Sequence, residues 1–266
     1  MSDYRTDSSQ RGPAHDERTN LSRPAFSVTE LLVVIAIIAL LIGALIPVLA
    51  STFTKSKEIA SAVNLRSVSQ IFDMYTSQNR GMYPAAVPDR VYPTPRPAIQ
   101  VTLSHWGTSD QWHLLFLEQY PWESNIDFYL SPGATRDIDM SSMMTNILPS
   151  YRYSASFLGN PSIWSGDQIN PDDWQKLERS ILRSFIRYPS AKVLMWDAEL
   201  PNLRRDLERD IDGNLKELTP MVFADAHVET HVPADATDSV INWAPTARYA
   251  DEKLHNTRDG VFGRDY

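Results

Sequence analysis

Asp225, His227, Glu229 and His231 stand at every second position near the C-terminus. On an extended strand alternate side chains share a face, so these four would form a row of carboxylates and imidazoles, a donor set suited to a transition metal. The opposite face would carry Val222, Ala224, Ala226, Val228 and Val232, which a half-buried strand with a solvated side explains as well. That simpler reading is the expectation. Asp210, Asp212, Gly213 and Asn214 form a second acidic group, D-x-D-G-N, with oxygen ligands spaced as Ca²⁺ prefers. No acidic residue closes the twelve-residue calcium-loop pattern, and Asp-Gly and Gly-Asn are common turn pairs. A hairpin turn is therefore favoured, with Ca²⁺ binding as the lesser alternative and no cofactor expected. His105, Trp106, Trp112 and His113 have the types that line a sugar or peptide groove, although tryptophans on a short helix more commonly serve a core. G-x-S-x-G, P-loop, H-E-x-x-H and G-x-G-x-x-G patterns are all absent, and no carboxylate pair is singled out. The expectation is a protein that is not an enzyme.

The elements that would carry these residues lie downstream of a very different segment. From Leu31 to Ala50, twenty residues carry no charge. As a helix this run is roughly 30 Å long, the thickness of a bilayer's hydrocarbon core. It lacks the polar stripe of a surface helix, and it continues into a further helical pattern instead of ending at a signal-peptide cut. Beyond Ala50, Ile59, Val63, Val68, Ile71, Phe72 and Tyr75 recur at helical spacing. Lys55, Lys57, Glu58, Arg66 and Gln70 fill the other faces, which predicts an amphipathic continuation to about Gln78. Pro47 sits within the apolar half, where a membrane tolerates a kink.

The spacing divides the chain into a polar leader over 1–25, a helix over 26–79, a Pro-rich linker over 80–97 and a globular part over 98–266. In the last, strands are predicted over Ile99–Leu103, Tyr151–Leu158, Lys192–Trp196 and Val222–Val232. Helices are predicted over Asp110–Tyr120 and from an Asn170 cap through Trp174, Leu177, Ile181 and Phe185. The fold class is α+β: a long N-terminal helix whose second half packs on an antiparallel sheet with short helices. The net charge of −8 argues against nucleic acid as a partner. The absence of cysteine removes disulfides and thiolate chemistry.

The segment Arg23-Pro24-Ala25-Phe26-Ser27-Val28-Thr29-Glu30-Leu31-Leu32 and the apolar run after it resemble the prepilin-type cleavage and methylation motif of type IV pilins and type II secretion pseudopilins. Ala25 stands where Gly is usual. The resemblance implies cleavage between Ala25 and Phe26 by a prepilin peptidase, N-methylation of Phe26, and pairing of Glu30 with a neighbouring subunit's terminal amine. It also implies a helix bend at Pro47. Weaker echoes of large pseudopilin-like proteins are Asn64-Leu65-Arg66 with Tyr75 and Gly81-Met82-Tyr83-Pro84, Phe128-Tyr129-Leu130-Ser131-Pro132 with Ser for Cys, and Phe223-Ala224-Asp225-Ala226-His227-Val228-Glu229 with Ala226 for Gly. The implied function is a structural subunit of a pseudopilus or pilus-like filament. Its implied partners are prepilin peptidase, other pilin or pseudopilin subunits and an inner-membrane assembly platform. Its implied place is a bacterial inner membrane, single-pass, with the N-terminus cytoplasmic and the C-terminal domain periplasmic or extracellular. Arg11, Arg18 and Arg23 before the span balance Lys55, Lys57 and Arg66 after it, so charge does not set the orientation. The competing expectation is a membrane-anchored ligand-binding or hydrolase domain that uses the motif only for export.

Overall fold

The computed structural model describes residues 26–95, 100–134, 148–200, 208–244 and 251–266. The chain is α+β: a long N-terminal apolar helix, a C-terminal antiparallel sheet and short helices. It divides into two compact units, Met1–Ala50 and Ser51–Tyr266. Helix α1 covers Val28–Gln78 with Pro47 inside it. In the first unit every described residue is exposed, and α1 is long and apolar enough to cross a membrane.

In the second unit, α1 buries Ser61, Leu65, Val68, Ser69, Ile71, Phe72 and Thr76. This stripe differs from the expected one at its start, because Ile59 and Val63 stay exposed. Ser61 turns inward instead, since its hydroxyl finds a buried acceptor in Asp197. Phe72 is the centre of the packing: its ring lies 5.0 Å from Tyr153, 5.5 Å from Phe116 and 5.7 Å from Trp112. At the end of α1 the amide of Gly81 donates to the Thr76 carbonyl at 2.7 Å. Arg80 and Gly81 both have positive φ, which satisfies a terminal carbonyl and turns the chain out of the helix.

Of the linker expected over 80–97, residues 96–97 lie outside the described residues and 80–95 are largely a wall of the core: Tyr83, Ala85, Ala86 and Tyr92 are buried. Within them β1 (Val91–Pro93) pairs antiparallel with β2 (Gln100–Thr102). The expected helix over Asp110–Tyr120 is a single turn, α2 (Thr108–Gln111), running into a 3₁₀ turn over Trp112–Leu115. Pro121 then opens α3 (Trp122–Tyr129).

The main sheet has the order β3-β4-β5-β6, all antiparallel, from β3 (Tyr151–Tyr153), β4 (Val193–Asp197), β5 (Thr219–Phe223) and β6 (Val228–His231). Central strands β4 and β5 are buried at every residue, as their near-continuous apolar sequences require. The strand expected over Tyr151–Leu158 stops at Tyr153, and a 3₁₀ turn follows. The helix expected from Asn170 to Phe185 is also shorter. Asn170 caps as expected, its side-chain oxygen accepting from the Asp172 amide at 3.1 Å, but α4 covers only Trp174–Leu177. Beyond it the backbone is recruited elsewhere: Tyr83 N donates to Ile181 O at 2.9 Å and Arg183 N to Gly81 O at 2.8 Å. Trp174 and Ile181 still reach the core.

Candidate functional site

Glu30 lies in the third position of α1, and Ser27 immediately precedes the helix. The Ser27 amide donates to Glu30 Oε2 at 2.9 Å, its hydroxyl donates to the same oxygen at 2.8 Å, and the Glu30 amide donates to Ser27 Oγ at 3.2 Å. This reciprocal pair satisfies amides that begin a helix without partners. The S-x-x-E spacing that signals it was open to view in the sequence. Phe26 is exposed; Ala25 and the rest of the 1–25 leader lie outside the described residues. Pro47 lies within a helix that continues past it.

The acidic group at 210–214 closes a hairpin. Arg209 and Leu215 form an antiparallel bridge, and Gly213 takes φ +88. Asp210 Oδ1 accepts from the amides of Asp212 at 3.0 Å and Asn214 at 2.7 Å, while Oδ2 accepts from Asn214 Nδ2 at 3.0 Å. The carboxylate that would lead a calcium loop is thus turned onto the loop's own donors.

The segment Val222–Val232 is two strands and a turn, which corrects the expectation of one strand with four polar residues on a face. Phe223 N donates to His227 O and Ala226 N to Phe223 O, both at 2.9 Å, and Ala226 has φ +69. This is a three-residue hairpin loop whose third position is left-handed, a place that favours Gly. Asp225 Oδ1 takes the His227 Nδ1 side of the ring. His231 Nε2 lies 2.8 Å from Glu229 Oε2, and His227 Nε2 lies 3.9 Å from Glu229 Oε1. Each imidazole is also stacked, His227 on Phe223 and His231 on Tyr266, both at 4.3 Å between centroids. Among the described residues no group of three or more His, Asp or Glu side chains is arranged to hold a metal ion.

The His105–His113 group is core. Trp106, Trp112 and His113 are buried; Trp112 Nε1 donates to Tyr151 O at 2.8 Å and Trp106 Nε1 to Glu178 Oε1 at 2.6 Å. His105 Nε2 meets the Leu158 carbonyl. Both nitrogens of His113 lack hydrogen-bond partners. Its ring is enclosed by Trp122 at 5.4 Å and Tyr129 at 5.9 Å. Burial pushes its pKa down to about 3, with the Arg152 charge acting in the same direction.

Among the described residues, two further buried groups, at Asp197 and at Lys192–Asp265, carry no motif in the sequence. Asp197, at the end of β4, accepts from Ser61 of α1, from Ser131 Oγ at 2.7 Å, and from the amides of Glu199 at 3.0 Å and Leu200 at 2.8 Å. Four donors from three parts of the chain converge on one carboxylate, which ties α1 to the sheet. At the other end of β4, Lys192 Nζ lies 3.2 Å from Asp265 Oδ2, with both side chains fully buried. A cavity of about 260 Å³ beside Trp196 and His255 is bordered by Arg152, Arg209, Glu252 and Lys253. Its cations are already engaged: Arg152 Nε lies 3.2 Å from Asp110, Arg209 donates to Gly213 O at 2.6 Å, and Lys253 Nζ donates to the carbonyls of Ala234 and Ala236.

Comparison with protein-family models, with curated proteins and with solved structures found no match.

Proposed function

We propose that the chain is a prepilin-like structural subunit. A prepilin peptidase removes the leader between Ala25 and Phe26 and methylates the new terminus. The apolar part of α1 then sits in a bacterial inner membrane, N-terminus inside, and packs against the helices of other pilin or pseudopilin subunits on an assembly platform. The domain outside supplies partner or cargo specificity and performs no catalysis.

The observation that carries this reading is the apolar run of α1 with a single carboxylate at its head. Residues 26–50 are exposed throughout. An apolar surface of this extent is stable only when lipid or another apolar helix covers it. A carboxylate at the head of such a helix costs several kcal/mol to bury alone, and a terminal amine released at Phe26 is a partner of the right charge. The local cap from Ser27 leaves the net charge of Glu30 uncompensated. The stalk echo supports the same reading: Asn64 Nδ2 donates to Asp127 O at 2.7 Å and to Tyr151 OH at 3.1 Å, and Leu65 is fully buried.

The test is co-isolation. The full chain is expressed with a prepilin peptidase and a set of pilin subunits, as wild type and as Glu30→Ala. Continued cutting with lost co-isolation supports an assembly role. Unchanged co-isolation overturns it.

A further inference from the structure

Among the described residues, Lys192 and Asp265 form a fully buried ion pair that the proposed function does not use. Lys192 immediately precedes β4, and Asp265 lies on the C-terminal stretch. Nζ lies 3.3 Å from Oδ1 and 3.2 Å from Oδ2, and neither side chain is accessible to water. A buried ion pair of this kind gains little or nothing over an apolar contact, because desolvation offsets the Coulombic attraction. The surrounding groups are specific. Thr257 Oγ1 hydrogen-bonds both Lys192 Nζ and Asp265 Oδ1. The Val193 amide donates to Asp265 Oδ2 at 2.8 Å, and Ser156 Oγ sits 3.1 Å from Nζ.

We propose that Lys192 and Asp265 are a covalent modification site, at which the folded chain joins its own side chains through an amide bond between Nζ and Cγ. The inference is independent of the pilin reading and rests only on this cluster. Thr257 bridges the two reactants and passes a proton from the ammonium to Oδ1, giving a neutral amine and a neutral acid. Burial favours that exchange, since it holds the Lys192 ammonium below its ordinary pKa, against the opposing pull of Asp265. The Nζ lone pair then attacks Cγ. Oδ2 carries the developing negative charge against the Val193 amide, a fixed donor at the position where charge appears. Collapse re-forms the Cγ–Oδ2 double bond and breaks Cγ–Oδ1. Oδ1 leaves as water with the second proton from nitrogen, so amine plus acid gives amide plus water with no oxidant or reductant. Fixing both groups in contact supplies the effective concentration that the reaction lacks in solution. The product would clamp the C-terminal stretch to the start of β4 in a chain that has no cysteine for a disulfide.

Tryptic peptide mapping of the denatured full-length protein tests this. Trypsin does not cut after an acylated lysine. The expected product is residues 188–204 uncut at Lys192, carrying Asp265–Tyr266 and one water lighter than the two peptides together. Lys192→Arg, which keeps the charge but not the nucleophile, loses this product. Thr257→Val, with an unchanged circular dichroism spectrum, forms it at least tenfold more slowly. Quantitative recovery of peptide 188–192 and free Asp265–Tyr266 from the wild-type protein overturns the proposal.

Discussion

His113 makes stability depend on mild acid in a way that one substitution should remove. Its ring is fully buried and neither nitrogen has a partner. In the unfolded chain it titrates near the ordinary value of 6.5, while in the folded chain burial pushes its pKa down to about 3. A depressed histidine means that the unfolded state takes up the proton first. The contribution of neutral His113 is therefore fully present above pH 6.5 and is lost as pH falls toward 3. At about 1.4 kcal/mol per pH unit, wild type loses roughly 2 kcal/mol from this group between pH 7 and pH 5. The loss levels off at about 5 kcal/mol below pH 3. His255 is also fully buried with a depressed pKa, from burial first and then from the Arg152 and Lys192 charges, so it adds in the same direction. In His113→Phe an aromatic ring of similar size fills the box formed by Trp122 and Tyr129, and no titrating group remains. Urea melts of wild type and His113→Phe at pH 7 and pH 5, in the same detergent, isolate the effect. The wild-type loss should exceed the mutant loss by about 2 kcal/mol. Equal losses in the two proteins would refute the reasoning, because His113 would then titrate alike in both states.

Ala226→Gly relieves a left-handed backbone at the β5–β6 turn and should raise stability by about 0.5–1 kcal/mol in thermal melts. Asp197→Ala leaves Ser61, Ser131 and two amides without their acceptor and should cost about 3–5 kcal/mol, against about 1 kcal/mol for Ser61→Ala. The double mutant should cost less than the sum, since both remove the same contact. Asp210→Ala should cost about 1–2 kcal/mol by opening the 210–214 turn, while millimolar Ca²⁺ leaves the wild-type melting temperature unchanged.

The elements legible in the sequence were those with an uninterrupted pattern. The α1 run has length and hydropathy, β4 is apolar from Val193 to Trp196, and Asn170 announces its cap. The Trp174–Phe185 stripe was misleading because helical spacing of apolar residues also fits a chain that folds back on itself. Here the carbonyls of Leu177 and Ile181 accept from distant amides of Asn160 and Tyr83, and local periodicity is blind to such partners. The Val222–Val232 alternation concealed a turn because Ala226, an ordinary residue, occupies a left-handed position. The Pro-rich stretch 80–97 reads as a linker by composition, yet within it Tyr83 and Tyr92 bring enough apolar surface to be buried. Among the site residues, Glu30 stands out as an acid at the head of an apolar run, and its cap with Ser27 follows the S-x-x-E spacing. Asp197, Lys192 and Asp265 carried no signal at all. A buried charge is recognised by the donors around it, and those come from Ser61, Ser131, Ser156 and Thr257, which are far apart in the chain.

The most direct measurement of the central claim is the N-terminal residue of the protein isolated from cells that contain a prepilin peptidase. The account predicts a chain that begins at Phe26 and bears an N-methyl group, with the precursor persisting when the peptidase is absent. A protein that still begins at Met1 in the presence of the active peptidase would contradict it.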